Sequence, residues 1–184
     1  MGNRLQEKGY FSAAYHNNDH TYYSRDYTHT HLGYDTWYAH GNGMEEYVKN
    51  QWPQSDLEMF EGTVPTYIDK EKFNVYYMTV SGHLEYSRIG NSMSAKNWSR
   101  VKELDCSDSL KAYYACNIEL DLAMEELLKR LNEAGVADKT VIAITPDHYP
   151  YGLEKDEGDK YEVWEEILGH PVETQFELFE SCFL

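Results

Sequence analysis

The stretch from Phe73 to Thr145 constrains the fold more than any other part of the chain. Phe73 to Val80, FNVYYMTV, is β-branched and aromatic and runs straight into Ser81, Gly82 and His83, so it reads as a buried strand delivering a polar loop. Ser107 to Ala134 carries Leu110, Tyr113, Tyr114, Ile118, Leu120, Ala123, Leu127, Leu128 and Leu131 as an approximate helical stripe, and Gly135 stops it. Thr140 to Thr145, TVIAIT, is a continuous apolar run of strand length, suited to a central parallel strand. Strand, long helix and strand in this order make a βαβ unit with a right-handed crossover. In open α/β sheets the functional crevice lies at the carboxyl ends of the strands, where His83 and Asp147 both fall.

Before this unit, Gly9 to His16 reads as a short aromatic strand ending at the polar cluster His16, Asn17, Asn18, Asp19 and His20. Thr21 to Leu32 reads as a helix capped near Asp19 or Thr21 and broken by Gly33. Ser55 to Phe60 reads as a short helix, with Ser55 as N-cap and Glu58 placed for a capping box. After Gly152 come a charged stretch, a short helix through Trp164 and Leu168, and a final CFL that reads as the start of another strand. The whole is one partial α/β domain spanning residues 1–184, a mostly parallel sheet with flanking helices, expected to be truncated at both ends.

Charge narrows the partners. Lys and Arg number 16 against 32 Asp and Glu, a formal net charge of −16, which argues against nucleic acid or an anionic membrane surface as a general partner. An anionic ligand must then be held by local cations or by a metal. Seventeen Tyr and eight His suit contact with carbohydrate or polar lipid as well as packing. Cys106, Cys116 and Cys182 lack metal-type spacing and read as small buried hydrophobes. No run of about 18 apolar residues and no signal-peptide core is present, so the chain as given is expected to be soluble.

Asp147 and His148, leaving the apolar run, offer one hard oxygen and one imidazole, a pairing that suits a divalent ion at a phosphoryl-transfer centre. The dipeptide alone is a weak signal, since Asp also caps turns and His also satisfies strand ends. Three blocks together say more. They are YHNNDHTYYSRDYTHTHLGYDTWY (Tyr15 to Tyr38), MTVSGHLEYS (Met78 to Ser87) and ITPDHYPYG (Ile144 to Gly152).

In these blocks the chain resembles the lipoteichoic acid synthase and phosphoglycerol transferase branch of the alkaline phosphatase and sulfatase superfamily. The first is similar to that branch's His-x-Asn-Asn segment, followed by an aromatic-x-Arg-Asp and a Gly-(Phe/Tyr)-Asp. The second is similar to its Thr-Val-x-x-His strand exit, and the third to its Asp-His-Tyr after a buried strand. The resemblance implies an alkaline-phosphatase-like fold in which Asp147 and His148 bind a catalytic manganese or magnesium ion. It also implies that His16, Tyr23, Arg25 and His83 line a phosphoglycerol head-group pocket. Arg offers a planar fork to phosphate oxygens and His a donor to a leaving oxygen, so the residue types fit. Tyr23 stands where the family often has Trp, and the other histidines, His20, His29, His31 and His40, read as solvated or helix-surface residues.

The resemblance further implies an extracellular, membrane-anchored parent that moves phosphoglycerol from a lipid to a cell-envelope glycan. Its nucleophile belongs upstream of the His-x-Asn-Asn block. No residue before His16 has that context, so no catalytic nucleophile is assigned. The isolated chain is expected to be inactive and to hold its divalent cation weakly or not at all. An uncapped sheet edge would favour a homo-oligomer. Two other readings stand beside this one: a sulfatase or phosphatase-type hydrolase, and a non-catalytic module that binds a phosphorylated glycan.

Overall fold

A computed structural model of the chain describes residues 2–155 and 158–180. In chain order its principal elements are α1 (Gly2–Gln6), β1 (Phe11–Asp19), α2 (Arg25–His31), β2 (Thr36–His40) and α3 (Asp56–Thr63). There follow β3 (Phe73–Met78), α4 (Ser92–Asn97), α5 (Asp108–Glu133), α6 (Glu162–Leu168) and α7 (Phe176–Phe179). The three strands form one parallel sheet in the order β2-β1-β3.

β1 is the centre of this sheet and is buried from Ser12 to Asn17. It does not stop where the polar residues begin. His16, Asn17, Asn18 and Asp19 all belong to the strand, because β3 pairs as far as His16↔Met78 and β2 as far as Asp19↔His40. Asp35 closes the other end, its carboxylate accepting from the Ser12 N–H at 2.8 Å and from Gln6 Nε2 at 2.5 Å.

One face of the sheet packs Ala13, Tyr15, Val75 and Tyr77 against Met59, Phe60 and Val64 of the α3 region and Ala123, Leu127 and Leu131 of α5. Tyr15, Tyr67 and Tyr77 share this core and link their hydroxyls to Thr63 and Thr66 (Tyr15–Thr66 2.6 Å, Tyr77–Thr63 2.7 Å, Tyr77–Tyr67 3.2 Å), so aromatic volume enters without orphaned oxygens. Ser107 caps α5 by accepting from the Leu110 N–H at 3.2 Å, and Gly135 ends it with φ +69°. Ser55 caps α3, accepting from Glu58 N–H at 3.0 Å. The capping box is not completed, since the Glu58 carboxylate instead takes Lys49 N–H at 3.0 Å and Lys49 Nζ at 2.7 Å.

Three further expectations need correction. Thr140 to Thr145 forms no strand: after the turn Ala137–Lys139 the segment carries no regular secondary structure. Its composition suits a central strand, but no described strand lies beside it to complete a ladder, so among the described residues the βαβ unit has no second strand. The helix expected over Thr21 to Leu32 is split into a 3-10 turn, Tyr22–Ser24, and α2, with Tyr23 and Ser24 at φ +55° and +54°. Of the cysteines, Cys116 is buried and its thiol is pushed up to about 12, chiefly by burial, whereas Cys106 is only half-buried. Cys182 and the CFL terminus lie outside the described residues.

Candidate functional site at the carboxyl ends of the strands

The exits of β1 and β3 are held by one buried carboxylate. Asp56, at the start of α3, accepts at Oδ1 from Asn17 Nδ2 (2.7 Å) and from the Val80 N–H (2.9 Å). Its Oδ2 takes the Ser81 N–H at 3.3 Å and the Ser81 hydroxyl. Burial pushes this carboxyl up, and the Ser81, Val80 and Asn17 donors pull it back down. A second buried carboxylate, Glu119 of α5, receives Lys96 Nζ (2.7 Å), Asn97 Nδ2 (3.1 Å) and the Ser55 hydroxyl, which ties α5 to α3 and α4. Neither acid was picked out by the sequence reading.

On this base His16 is fixed in one tautomer. Its Nδ1–H donates to the Met78 carbonyl at 2.9 Å, because a carbonyl can only accept. Nε2 is then the acceptor and faces an Arg25 guanidinium nitrogen at 3.4 Å. Burial above all, with Arg25 adding to it, lowers the His16 pKa to about 4, against the Met78 bond that pulls it up. The imidazole is therefore neutral at pH 7 and serves to orient Arg25 rather than to carry charge.

Arg25 opens α2 with its guanidinium carbon 5.6 Å from the Tyr22 ring centre and 5.4 Å from that of Tyr23. Tyr23 itself is 76% exposed, a free aromatic wall rather than core. His29, expected on a solvated surface, is instead buried and stacked on Trp37 at 4.4 Å, with Nδ1 donating to the Arg25 carbonyl at 3.2 Å. It braces the helix end that presents Arg25.

His83 leaves β3 through a turn in which its N–H donates to Val80 O at 2.9 Å. Its ring stands edge-on to Trp52 at 5.7 Å and to His148 at 6.4 Å. His148 packs on Tyr151 at 4.9 Å, and its Nδ1–H donates to the Tyr149 carbonyl at 2.8 Å. That leaves His148 Nε2 as the lone-pair nitrogen, 3.5 Å from Asp147 Oδ1. The two donors expected for a metal thus converge, but on the surface, with the Asp147 side chain 77% exposed.

Tyr76 connects the two halves of the rim. Burial raises its phenol, Arg25 opposes that rise and Asp147 adds to it, so both charges are within electrostatic reach of one side chain. The structure therefore brings His16, Arg25 and Tyr23 to one side of the strand exits and His83, Asp147 and His148 to the other. Trp52 and Tyr151, absent from the sequence expectations, complete the aromatic lining. Among the described residues no group of three or more His, Cys, Asp or Glu side chains could hold a metal ion. Two donors are a partial set, and by themselves they do not fit a stable site.

A family model described as Sulfatase matches residues 1–171. The chain belongs to the sulfatase family. It is 27% identical over 169 residues to lipoteichoic acid synthase 1 of Bacillus subtilis (strain 168), covering 91% of this chain and 25% of that protein. It is 26% identical over 171 residues to lipoteichoic acid synthase of Staphylococcus saprophyticus, with the same two coverages. The chain thus spans about a quarter of the length of these curated relatives.

Among solved structures, the lipoteichoic acid synthase LtaP from Listeria monocytogenes superposes with a TM-score of 0.62 at 23% identity, covering 80% of this chain and 36% of that one. The Streptococcus pyogenes phosphoglycerol transferase GacH, in complex with sn-glycerol-1-phosphate, superposes with a TM-score of 0.58 at 15% identity, covering 95% and 42%. These neighbours bear out the α/β, alkaline-phosphatase-like fold expected from the three sequence blocks, and the relatives bear out the family branch. Among the described residues no helix is long and apolar enough to cross a membrane.

Proposed function

We propose that this chain supplies the head-group side of a metal-dependent phosphotransferase that moves phosphoglycerol, or a similar phospho-substituent, from a lipid to a cell-envelope glycan outside the membrane. The observation that carries the reading is the presentation of Arg25. Its guanidinium is aligned by a neutral His16 on one side and flanked by the Tyr22 and Tyr23 rings on the other, at the strand exits of a sulfatase-family sheet. In this reading Arg25 takes the phosphate oxygens through its planar fork, and Tyr23 and Trp52 wall the glycerol. His83 stands ready to donate a hydrogen bond to a substrate oxygen.

Asp147 Oδ1 and His148 Nε2 would contribute two ligands to a manganese or magnesium ion, with the remaining ligands drawn from elsewhere. When bound, such an ion neutralises phosphate charge and activates an attacking oxygen. No Ser, Thr or Cys side chain among the described residues hydrogen-bonds to Arg25, His83, Asp147 or His148, so these residues are assigned binding and positioning roles.

Calorimetric titration of the 184-residue chain with sn-glycerol-1-phosphate, with and without manganese, tests the proposal. Binding that is lost in Arg25→Ala, and that manganese tightens in the wild type but not in Asp147→Asn, supports it. Manganese-independent binding lost only in Arg25→Ala would favour a non-catalytic phospho-glycan module. No binding under either condition sinks the head-group assignment.

A further inference from the structure

We infer that a run of aromatic side chains leading away from His148, through Tyr151 and Tyr149 to Phe179, is a docking track for a neutral oligosaccharide held by ring stacking. Calling that sugar the acceptor of the transferred group rests on the proposed function; the binding itself does not.

The track is set by ring geometry. The Tyr151 ring centre lies 4.9 Å from that of His148, Tyr149 lies 6.1 Å from Tyr151, and Phe179 lies 4.6 Å from Tyr149. Each step is close to the advance of one sugar residue along a chain. Tyr151 and Phe179 are open to solvent, at 40% and 56%, and Tyr149 between them is half-buried. Tyr149 is the anchor: its hydroxyl donates to Glu154 Oε1 at 3.2 Å, and its ring lies 6.4 Å from that of buried Trp164. Leu153, Val163 and Leu178 pack in the same cluster. The exposed rings therefore stand on a small core of their own and lose little freedom when a ligand lies on them.

One end of the track reaches the rim. Tyr151 lines the cavity shared with His83, Asp147 and His148. The Tyr22 phenol is raised chiefly by its neighbour Tyr23 and in smaller part by Tyr151, which puts Tyr151 within electrostatic reach of the Arg25 side as well. A chain lying on the rings thus ends beside the groups assigned to the phosphate head group.

Charge selects the occupant. Residues 147–180 hold eleven Asp and Glu against two Lys and no Arg. Both lysines are already engaged, Lys155 with Glu162 and Lys160 with Glu154. Such a surface repels a polyanionic phosphate chain. A neutral sugar offers what the surface takes, C–H faces for the rings and hydroxyl donors for the carboxylates. An aliphatic protein partner would strip water from those carboxylates and return no hydrogen bond.

Titration of the full 184-residue chain with the N-acetylglucosamine tetramer and with maltotetraose, followed by NMR without glycerol phosphate or manganese, tests this. At least one tetramer should bind and shift the amides of residues 148–154. Its affinity should fall about tenfold in Tyr151→Ala and be kept in Tyr151→Phe and Arg25→Ala. Phe179→Ala should weaken the tetramer and leave the matching disaccharide as it was, because only the longer chain reaches the far ring. Should Tyr151→Ala fail to fold, that length comparison decides. No binding of either tetramer, indifference to Tyr151→Ala, or equal loss in Tyr151→Phe overturns the inference. So does octalysine binding more tightly than the tetramer in about 0.15 M salt and losing that affinity in Tyr151→Ala, which would assign the track to a basic partner. Sugar binding in a chain that takes no glycerol phosphate would uphold the track and sink the head-group assignment, and the reverse pair of results would do the opposite.

Discussion

The exits of β1 and β3 and the segment from Thr140 to His148 meet at the same rim, but one is closed and the other open. At the strand exits the buried ionisable groups have partners: Asp56 binds Asn17, Val80 and Ser81, and His16 binds Met78 and Arg25, while Asn17 Oδ1 alone of this group is left without one. At the open side Val141 is 94% exposed, and the exposed Asp147 carboxylate approaches His148 at 3.5 Å with no hydrogen-bond donor bound to it among the described residues. Position in the fold does not explain the difference, because both segments follow apolar runs of strand composition. The closed side has its neighbouring strands on hand, and the open side does not. Order at a parallel-sheet site is therefore a property of strand neighbours more than of the residues that will do chemistry.

The comparison breaks most sharply at Asp56. Asp56→Ala removes the acceptor for two backbone N–H groups and an amide in a fully buried place, with an expected loss of about 4 kcal/mol. Urea denaturation measures it. A loss below about 1 kcal/mol would mean that water replaces the carboxylate and that the closed side is not closed.

The next largest effect is a pH dependence. The His16 pKa falls from 6.5 unfolded to about 4 folded. Between those values the unfolded state binds more protons, so stability is complete above about pH 6.5 and declines as pH falls toward 4. The decline traceable to His16 is about 3 kcal/mol at most. Comparing wild type with His16→Gln isolates it: the difference between their stabilities should be flat above pH 6.5 and shrink below it. A difference that does not change with pH would place the ring in water.

Smaller again is Ser55→Ala, which loses the α3 cap and one donor to buried Glu119, for about 2 kcal/mol. Thermal melts of this variant and of Glu58→Ala separate the two roles, since Glu58 binds Lys49 and not the cap. A melting temperature no lower for Ser55→Ala than for Glu58→Ala would count against the buried linkage.

These residues also mark what the sequence could reveal. The α5 helix was legible because its stripe and both caps are local, and β3 because FNVYYMTV and the polar exit are local. β2 escaped notice, since five residues, TWYAH, are too short for a period to emerge. Asp56 looked like an ordinary acid in a helix first turn. Its burial is decided by Asn17 and Ser81, residues 39 and 25 positions away. Glu119 did leave a signal, for it falls at helical spacing among buried Ala115, Cys116 and Ala123, inside the apolar stripe. At the rim, His16, Arg25 and His83 were picked out by motif, while the packing of His29 on Trp37 depends on a strand that the sequence did not announce. The strand expected at Thr140 to Thr145 shows the limit from the other side. Composition states what a segment can pair with, and pairing still needs a partner.

The smallest expected effect tests the open side. Asp147→Ala should change the stability of this chain by no more than about 0.5 kcal/mol in either direction. Its carboxylate is largely in solvent and accepts no backbone hydrogen bond among the described residues, and its 3.5 Å approach to His148 is exposed on both partners. Such a pair gains little over hydration, so nothing is left unsatisfied when one member goes. A double-mutant cycle with His148→Ala should likewise give a coupling within error. A cost above about 1 kcal/mol, or strong coupling, would mean that the segment is already locked without a neighbouring strand. Near-neutrality here beside a large loss at Asp56 would show that the acid expected to bind metal and the acid that builds the rim are different residues on different segments, one in the irregular stretch after Thr145 and the other opening α3.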